Sequence, residues 1–253
     1  MQRITFAGDD LADFPPVKPG AYIKILLNPD GSGVTDLDLA SDEITTRTYT
    51  VRMFDREQGA LTVDFALHSG DLESGPASRW AESAKVGDKI CIGGPGSIKE
   101  FPTEYDWVLF AGDITAIPAI ESQLALLPAD TQGFAVISVN DAADIRDLVK
   151  PQGVKAIWLT SPTQRLANEL SRLEMPTGKP AIWAASEFSQ MREMRSLFNN
   201  QWNIARNSYY ISSYWKIGRS EEQHKIDKRK DAAKDSLNPA NLYNKAKQLL
   251  VPS

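Results

Sequence analysis

The spacing of apolar residues changes once along the chain, near Phe101-Pro102-Thr103, and a chain that changes period must build two different modules. Before that point, short β-branched and aromatic runs are separated by turn signals. Tyr22 to Leu27 predicts a strand ending at Asn28-Pro29-Asp30-Gly31, and Arg47 to Met53 predicts another. Leu61 to Leu67 follows across Gln58-Gly59, and Lys89 to Ile92 follows Val86-Gly87-Asp88. Such spacing predicts an antiparallel barrel, with a short helix over Ala77 to Ala84 behind Gly75-Pro76. Gln2 to Phe6 reads as a barrel strand entered midway, which predicts native residues before Met1.

After Pro102 short apolar strands alternate with helical stretches. The strands fall at Asp106–Ala111, Gly133–Val139, Ala156–Leu159, Ala181–Ala185 and Ser208–Ser212. The helices fall at Ala116–Leu127, around Arg165–Leu173 and at Gln190–Phe198. This order predicts a parallel sheet covered by helices. The expected boundaries are 1–102, 103–219 and an extension over 220–253, where a weak apolar stripe of Leu242, Ala246, Leu249 and Leu250 suggests a helix.

The chain's 253 residues suffice for two modules, and 42% hydrophobic content excludes a disordered class. One cysteine, Cys91, and two histidines, His68 and His224, cannot supply a zinc or iron–sulfur ligand set, so no resident metal is expected. No leader and no apolar run of membrane-spanning length is seen, which predicts a cytoplasmic protein without a membrane partner. Charge is uneven: residues 1–215 hold 19 basic and 28 acidic side chains, whereas 216–253 hold 9 and 5. The acidic body argues against nucleic-acid binding.

Two motifs carry potential chemistry. In Arg47-Thr48-Tyr49-Thr50, a strand puts Arg47 and Tyr49 on one face, where a cation can meet phosphate and a ring can stack. In Gly75-Pro76-Ala77-Ser78, small residues at a helix start leave amides open to a pyrophosphate. Each alone also fits an ordinary strand or cap.

Their order, followed by Gly87-Asp88 and Gly93-Gly94-Pro95-Gly96-Ser97, resembles the flavin-binding barrel of the ferredoxin-reductase superfamily. More narrowly, Arg47 to Arg52, Asp64 to His68, Gly75 to Ala81 and Gly112 to Ile120 resemble the siderophore-interacting protein family, with Ala185-Ser186-Glu187 and Tyr214-Trp215 in agreement. The resemblance implies an FAD-dependent ferric-siderophore reductase, with NADH or NADPH as electron donor. It places Tyr49 against the flavin ring, Arg47 on the pyrophosphate, Thr48 and Thr50 beside them, and Thr50 near the N5 edge. Asp64, Phe65, Ala66, Leu67 and His68 would border the ring, while Gly75, Pro76, Ala77 and Ser78 would cradle phosphate. Thr115 and Ala116 would line the cleft where nicotinamide meets flavin, with Ser186, Glu187 and Trp215 in the nicotinamide region. The sequence departs from many relatives at Ser186, where they have Gly, and at Ile114, where they have an acid.

A flavin accepts a hydride yet can release electrons singly to Fe(III), so no catalytic side chain is required. Lys24, Lys99, Arg206, Lys216 and Arg219 are the cations expected to attract an anionic ferric siderophore. The basic tail could dock an acidic carrier such as ferredoxin. Open alternatives are a general NAD(P)H-flavin or ferredoxin oxidoreductase of the same superfamily, and a non-enzymatic siderophore binder.

Overall fold

The computed structural model of the protein describes residues 1–18, 20–37, 43–67, 75–97, 101–161 and 163–236. Its contacts divide the chain into a compact unit, Met1–Tyr214, and a second unit that begins at Trp215.

The first unit opens with strands β1 (Gln2–Ala7), β2 (Tyr22–Leu27), β3 (Thr45–Asp55) and β4 (Ala60–Phe65), then helix α1 (Pro76–Ser83) and strand β5 (Ile92–Gly96). The strands form one antiparallel sheet in the order β1-β4-β3-β2-β5. Period-two burial explains β2: Ile23, Ile25 and Leu27 are fully buried, while Tyr22 is exposed and Lys24 lies between these extremes. Pro76 starts α1 where its missing N–H costs nothing. The Trp80 indole then packs on Phe6 at 6.1 Å and Phe65 at 5.9 Å, fixing the helix to the sheet.

The fifth strand differs from the expectation. Pairing begins at Ile92 rather than Lys89 and runs through Gly93-Gly94-Pro95-Gly96, residues that read as a turn. The register supplies the reason. Gly96 lies opposite Tyr22, and a Cβ at Gly96 would overlap the Tyr22 ring, so the absent side chain makes room for an aromatic one.

The second sheet is built from β6 (Trp107–Asp113), β7 (Gly133–Ser138), β8 (Val154–Leu159), β9 (Pro180–Glu187) and β10 (Tyr209–Trp215). Its order is β10-β9-β6-β7-β8, with β6 parallel to both β7 and β9 and β7 parallel to β8. Helices α2 (Ile117–Leu124), α3 (Leu166–Leu170) and α4 (Phe188–Ser196) connect them. Every residue of β6 is buried because both faces are covered. Val108 and Phe110 enter one core with Ile117 and Ile120, and Trp107, Leu109 and Ala111 enter the other with Leu166, Leu170 and Phe198. Between β6 and β9 the order reverses, and such a reversal opens a crevice at the strands' carboxyl ends.

Beyond Trp215, α5 (Glu221–Ser236) carries five Lys or Arg and five Asp or Glu. Lys225 pairs with Glu221 at 3.1 Å, and Asp227 receives Lys216 at 2.6 Å and Arg219 at 3.4 Å, so the helix itself is charge-balanced. The stripe expected at Leu242 to Leu250 lies outside the described residues. No helix among the described residues is long and apolar enough to cross a membrane.

Gly112 marks a tight point of the second sheet where β6, β9 and the start of α2 converge. A Cβ there would stand 2.6 Å from Ala116 Cβ and 2.7 Å from the Ala185 carbonyl oxygen. Replacing Gly112 with Ala is expected to cost about 1–3 kcal/mol, since β6, β9 and α2 must separate. The measurement is a lower urea midpoint at unchanged slope.

Candidate functional site

The register of β2 against β3 sets the first half of the site. Arg47 lies opposite Ile25 and Tyr49 opposite Ile23, so both share the face of those buried residues, while Thr48 and Thr50 share the other with Lys24 and Tyr22. The Tyr49 ring rests on Phe65 at a centroid distance of 4.3 Å, and Phe65 carries the chain of contacts on to Trp80 of α1. Arg47 Nη1 donates to the Thr46 carbonyl at 2.9 Å. On the opposite face Lys24 Nζ donates to Thr48 Oγ1 and lies 6.0 Å from the centre of the Tyr22 ring.

Helix α1 presents an open N-terminus. Gly75 stands at its cap with no side-chain hydrogen bond, and a Cβ at Gly75 would meet nothing within 4 Å among the described residues. Ala77 and Ser78 are buried behind it, and the amides of Ser78 and Arg79 return to the Gly75 carbonyl at 3.0 and 3.1 Å.

At the end of β4, Asp64 does not face solvent. Its carboxylate, 2% exposed, accepts Arg3 Nε at 2.7 Å and Arg3 Nη2 at 3.0 Å, and this hydrogen bonding holds the Arg3 guanidinium pKa above its ordinary value. Arg52 reaches Asp64 at 3.4 Å and Arg146 at 3.8 Å. Ala66 belongs to the same buried cluster as Ile114, Ala116 and Ile117, with Leu67 half-buried beside it, and α2 packs against β3. His68 and Lys99 lie outside the described residues.

That turn is organised by Asp113, a role the sequence reading did not assign. Asp113 Oδ1 accepts the Thr115 amide at 3.0 Å and the Thr115 hydroxyl at 2.5 Å. Its Oδ2 accepts the Glu187 amide at 2.7 Å, tying the ends of β6 and β9 together across the crevice. Ser186 is fully buried and donates to the Glu187 carbonyl at 3.2 Å. The Glu187 carboxylate caps α4 through the Ser189 amide at 2.6 Å and the Gln190 amide at 3.4 Å.

The remaining cations have local partners. Arg206 donates to the Tyr209 carbonyl at 3.0 Å and lies 4.6 Å from that ring's centre, and Lys216 and Arg219 share Asp227. Burial, with Asp36 and Asp10 adding, pushes the Cys91 thiol above its ordinary pKa, so it is a neutral thiol at pH 7. Among the described residues no group of His, Cys, Asp and Glu could hold a metal ion.

An antiparallel sheet followed by a parallel one, with a crevice at the carboxyl end of β6, is a ferredoxin-reductase-like architecture. The chain belongs to the siderophore-interacting protein family: residues 1–98 match the siderophore-interacting FAD-binding domain and residues 105–218 match the siderophore-interacting protein domain. It is 31% identical over 238 residues to the ferric vibriobactin reductase ViuB of Vibrio cholerae, covering 88% of this chain and 87% of that one. It is 29% identical over 156 residues to the NADPH-dependent ferric-chelate reductase of Escherichia coli, covering 60% and 59%. The crystal structure of the siderophore-interacting protein SipS from Aeromonas hydrophila, 32% identical, superposes with a TM-score of 0.76 over 89% of this chain and 91% of that one.

The residues present fit FAD. An uncapped helix start with open space at Gly75 suits an anionic pyrophosphate, and Arg47 shares a strand face with the aromatic Tyr49.

Asp113 gives the test of this geometry. Ala at position 113 leaves the buried Glu187 amide unpaired, and Asn must turn an NH2 toward one of the N–H donors that Asp113 receives. Both substitutions are expected to cost about 1–3 kcal/mol in urea unfolding, with faster exchange of the Glu187 amide proton.

Proposed function

We propose that the protein is an FAD-dependent ferric-siderophore reductase, passing electrons from NADH or NADPH to a ferric siderophore and releasing Fe(II). The observation that carries this reading is the packing of α2, which follows the turn at the carboxyl end of β6, against β3, which carries the Arg47-to-Thr50 motif. Residues 1–102 serve as the flavin module, 103–219 as the nicotinamide module and 220–253 as an extension.

FAD, when bound, takes two electrons as a hydride and gives them up one at a time to Fe(III). The protein's part is positional. Arg47 and the α1 N-terminus neutralise the pyrophosphate, and Tyr49 offers a ring to stack with Thr48 and Thr50 beside it. Backbone at Asp64 to Leu67 would border the flavin ring, and Gly75 to Ser78 would leave the phosphate its space. Asp113 holds Thr115 at the mouth of the crevice, where Ser186 and Glu187 at the end of β9 would flank a dinucleotide. Lys24 and Arg206 would supply positive potential toward an anionic chelate, whereas Lys216 and Arg219 are engaged by Asp227 and Lys99 lies outside the described residues. A ferredoxin donor has less support, because α5 is charge-balanced and Asp227 already engages Lys216 and Arg219.

Purified protein reconstituted with excess FAD is expected to retain one flavin, absorbing near 450 nm. NADH or NADPH should bleach it without air, and a ferric siderophore should restore the colour as a ferrous chelator traps Fe(II). Failure to retain flavin removes the reading. Bleaching by nicotinamide with reoxidation only by free flavin or ferredoxin favours a general oxidoreductase, and siderophore binding without reduction favours a binder.

Arg47→Ala is expected to weaken FAD binding about ten- to a hundredfold, the value of a charge-assisted hydrogen bond. Lys24→Ala should raise KM for an anionic ferric chelate more than it lowers kcat; an unchanged KM takes Lys24 out of the binding surface.

A further inference from the structure

We infer that Glu121 is a positioning residue that sets the gap across which nicotinamide meets flavin, an inference that rests on the reductase reading above. Its carboxylate lies on α2 and pairs with Arg52 of β3 and with Arg146 Nε at 3.2 Å. Arg52 and Arg146 both also reach the same Asp64 oxygen, at 3.4 and 3.8 Å. Glu121, Arg52, Asp64 and Arg146 therefore close a ring of alternating charge. The two carboxylates are 13% and 2% exposed, so solvent screens the ring weakly.

Each corner of the ring is attached to one wall of the crevice. Arg52 lies two residues beyond Thr50 on β3, and Asp64 immediately precedes Phe65, on which Tyr49 rests. Glu121 lies about 8 Å along the α2 axis from Ala116, at 1.5 Å per residue. Arg146 belongs to the segment after β7. The flavin wall and the nicotinamide wall are thus joined through four side chains. Ala66 shares a buried apolar cluster with Ile114 and Ala116, and such packing resists separation but tolerates sliding, while the Met1 ammonium, 3.3 Å from Asp144, adds a second charged tie across the seam. On the Arg52 side the pairs are charged hydrogen bonds, which fix direction as well as distance, while Arg146 meets both carboxylates at ion-pair distance, its Nε without a hydrogen-bond partner among the described residues. Sliding matters because a misplacement of about 1 Å can cost a hundredfold in a positioned reaction.

The test uses full-length protein carrying Glu121→Gln, which keeps the shape and removes the charge. With FAD bound, anaerobic flavin reduction by NADH or NADPH is expected to slow about ten- to a hundredfold. Reoxidation of the photoreduced flavin by a ferric chelate and the FAD stoichiometry should be little changed. In FAD-free full-length protein with Cys91→Ser, spin labels introduced through Glu57→Cys and Asp130→Cys should show a broader distance distribution with Glu121→Gln than without it. Unchanged flavin reduction overturns the inference. So does a parallel loss of both half-reactions with an unchanged label distance, which marks an ordinary loss of stability. Should Glu121→Gln not fold, Arg146→Gln opens the same ring from another corner and carries the same expectations. Wild-type protein that retains no FAD sinks the reductase reading instead, and the label distances still decide whether the ring holds the seam.

Discussion

A carboxylate taken out of water costs several kcal/mol unless cations meet it, and Asp64, at 2% exposure, is met by Arg3, Arg52 and Arg146. This requirement organises much of the first unit. Arg3 comes from β1, Arg52 from β3 and Arg146 from the segment after β7, so satisfying one acid aligns two strands of the antiparallel sheet with the parallel sheet beside them. Removing the acid would leave Arg52 and Arg146 sharing Glu121 and take from Arg3 the carboxylate to which it donates.

The second sheet meets a different need with the same economy. Parallel strands buried on both faces expose no polar side chains of their own, so any ligand must be met at their carboxyl ends. There Asp113 spends both oxygens on the backbone, holding Thr115 on one side and Glu187 on the other. The crevice is therefore shaped by backbone held rigid rather than by side chains aimed at a substrate. That suits an enzyme whose reactive atoms belong to a bound group and whose own task is to keep two rings at a set separation.

How much of this could be read from the chain depends on range. β2 was legible because Ile23, Ile25 and Leu27 alternate with less buried residues, and the strand-and-helix rhythm after Pro102 follows from local period alone. β5 was displaced because Gly and Pro read as turn, whereas the space they leave is filled by Tyr22, a partner some seventy residues earlier. α5 carries no apolar stripe to announce it, and its support comes from paired charges such as Glu221 and Lys225. The charge ring was illegible for the same reason in stronger form, since residues 52, 64, 121 and 146 acquire a relation only when the sheets are folded. The site motifs were legible by resemblance, and among them Arg47 and Tyr49 do share a face. Glu187, expected beside a dinucleotide, shows in its side chain the separate task of capping α4.

Strand β3 runs for eleven residues, Thr45–Asp55, beyond the ordinary length of a strand. One continuous backbone therefore carries the Arg47-to-Thr50 motif in its first half and Arg52 in its second. In a chimera of two relatives, a crossover within β3 would pair one parent's ring-stacking motif with the other's electrostatic clasp. A crossover at the conventional seam near residue 102 would part Arg52 from Glu121. The unit that can be exchanged intact is consequently larger than either sheet.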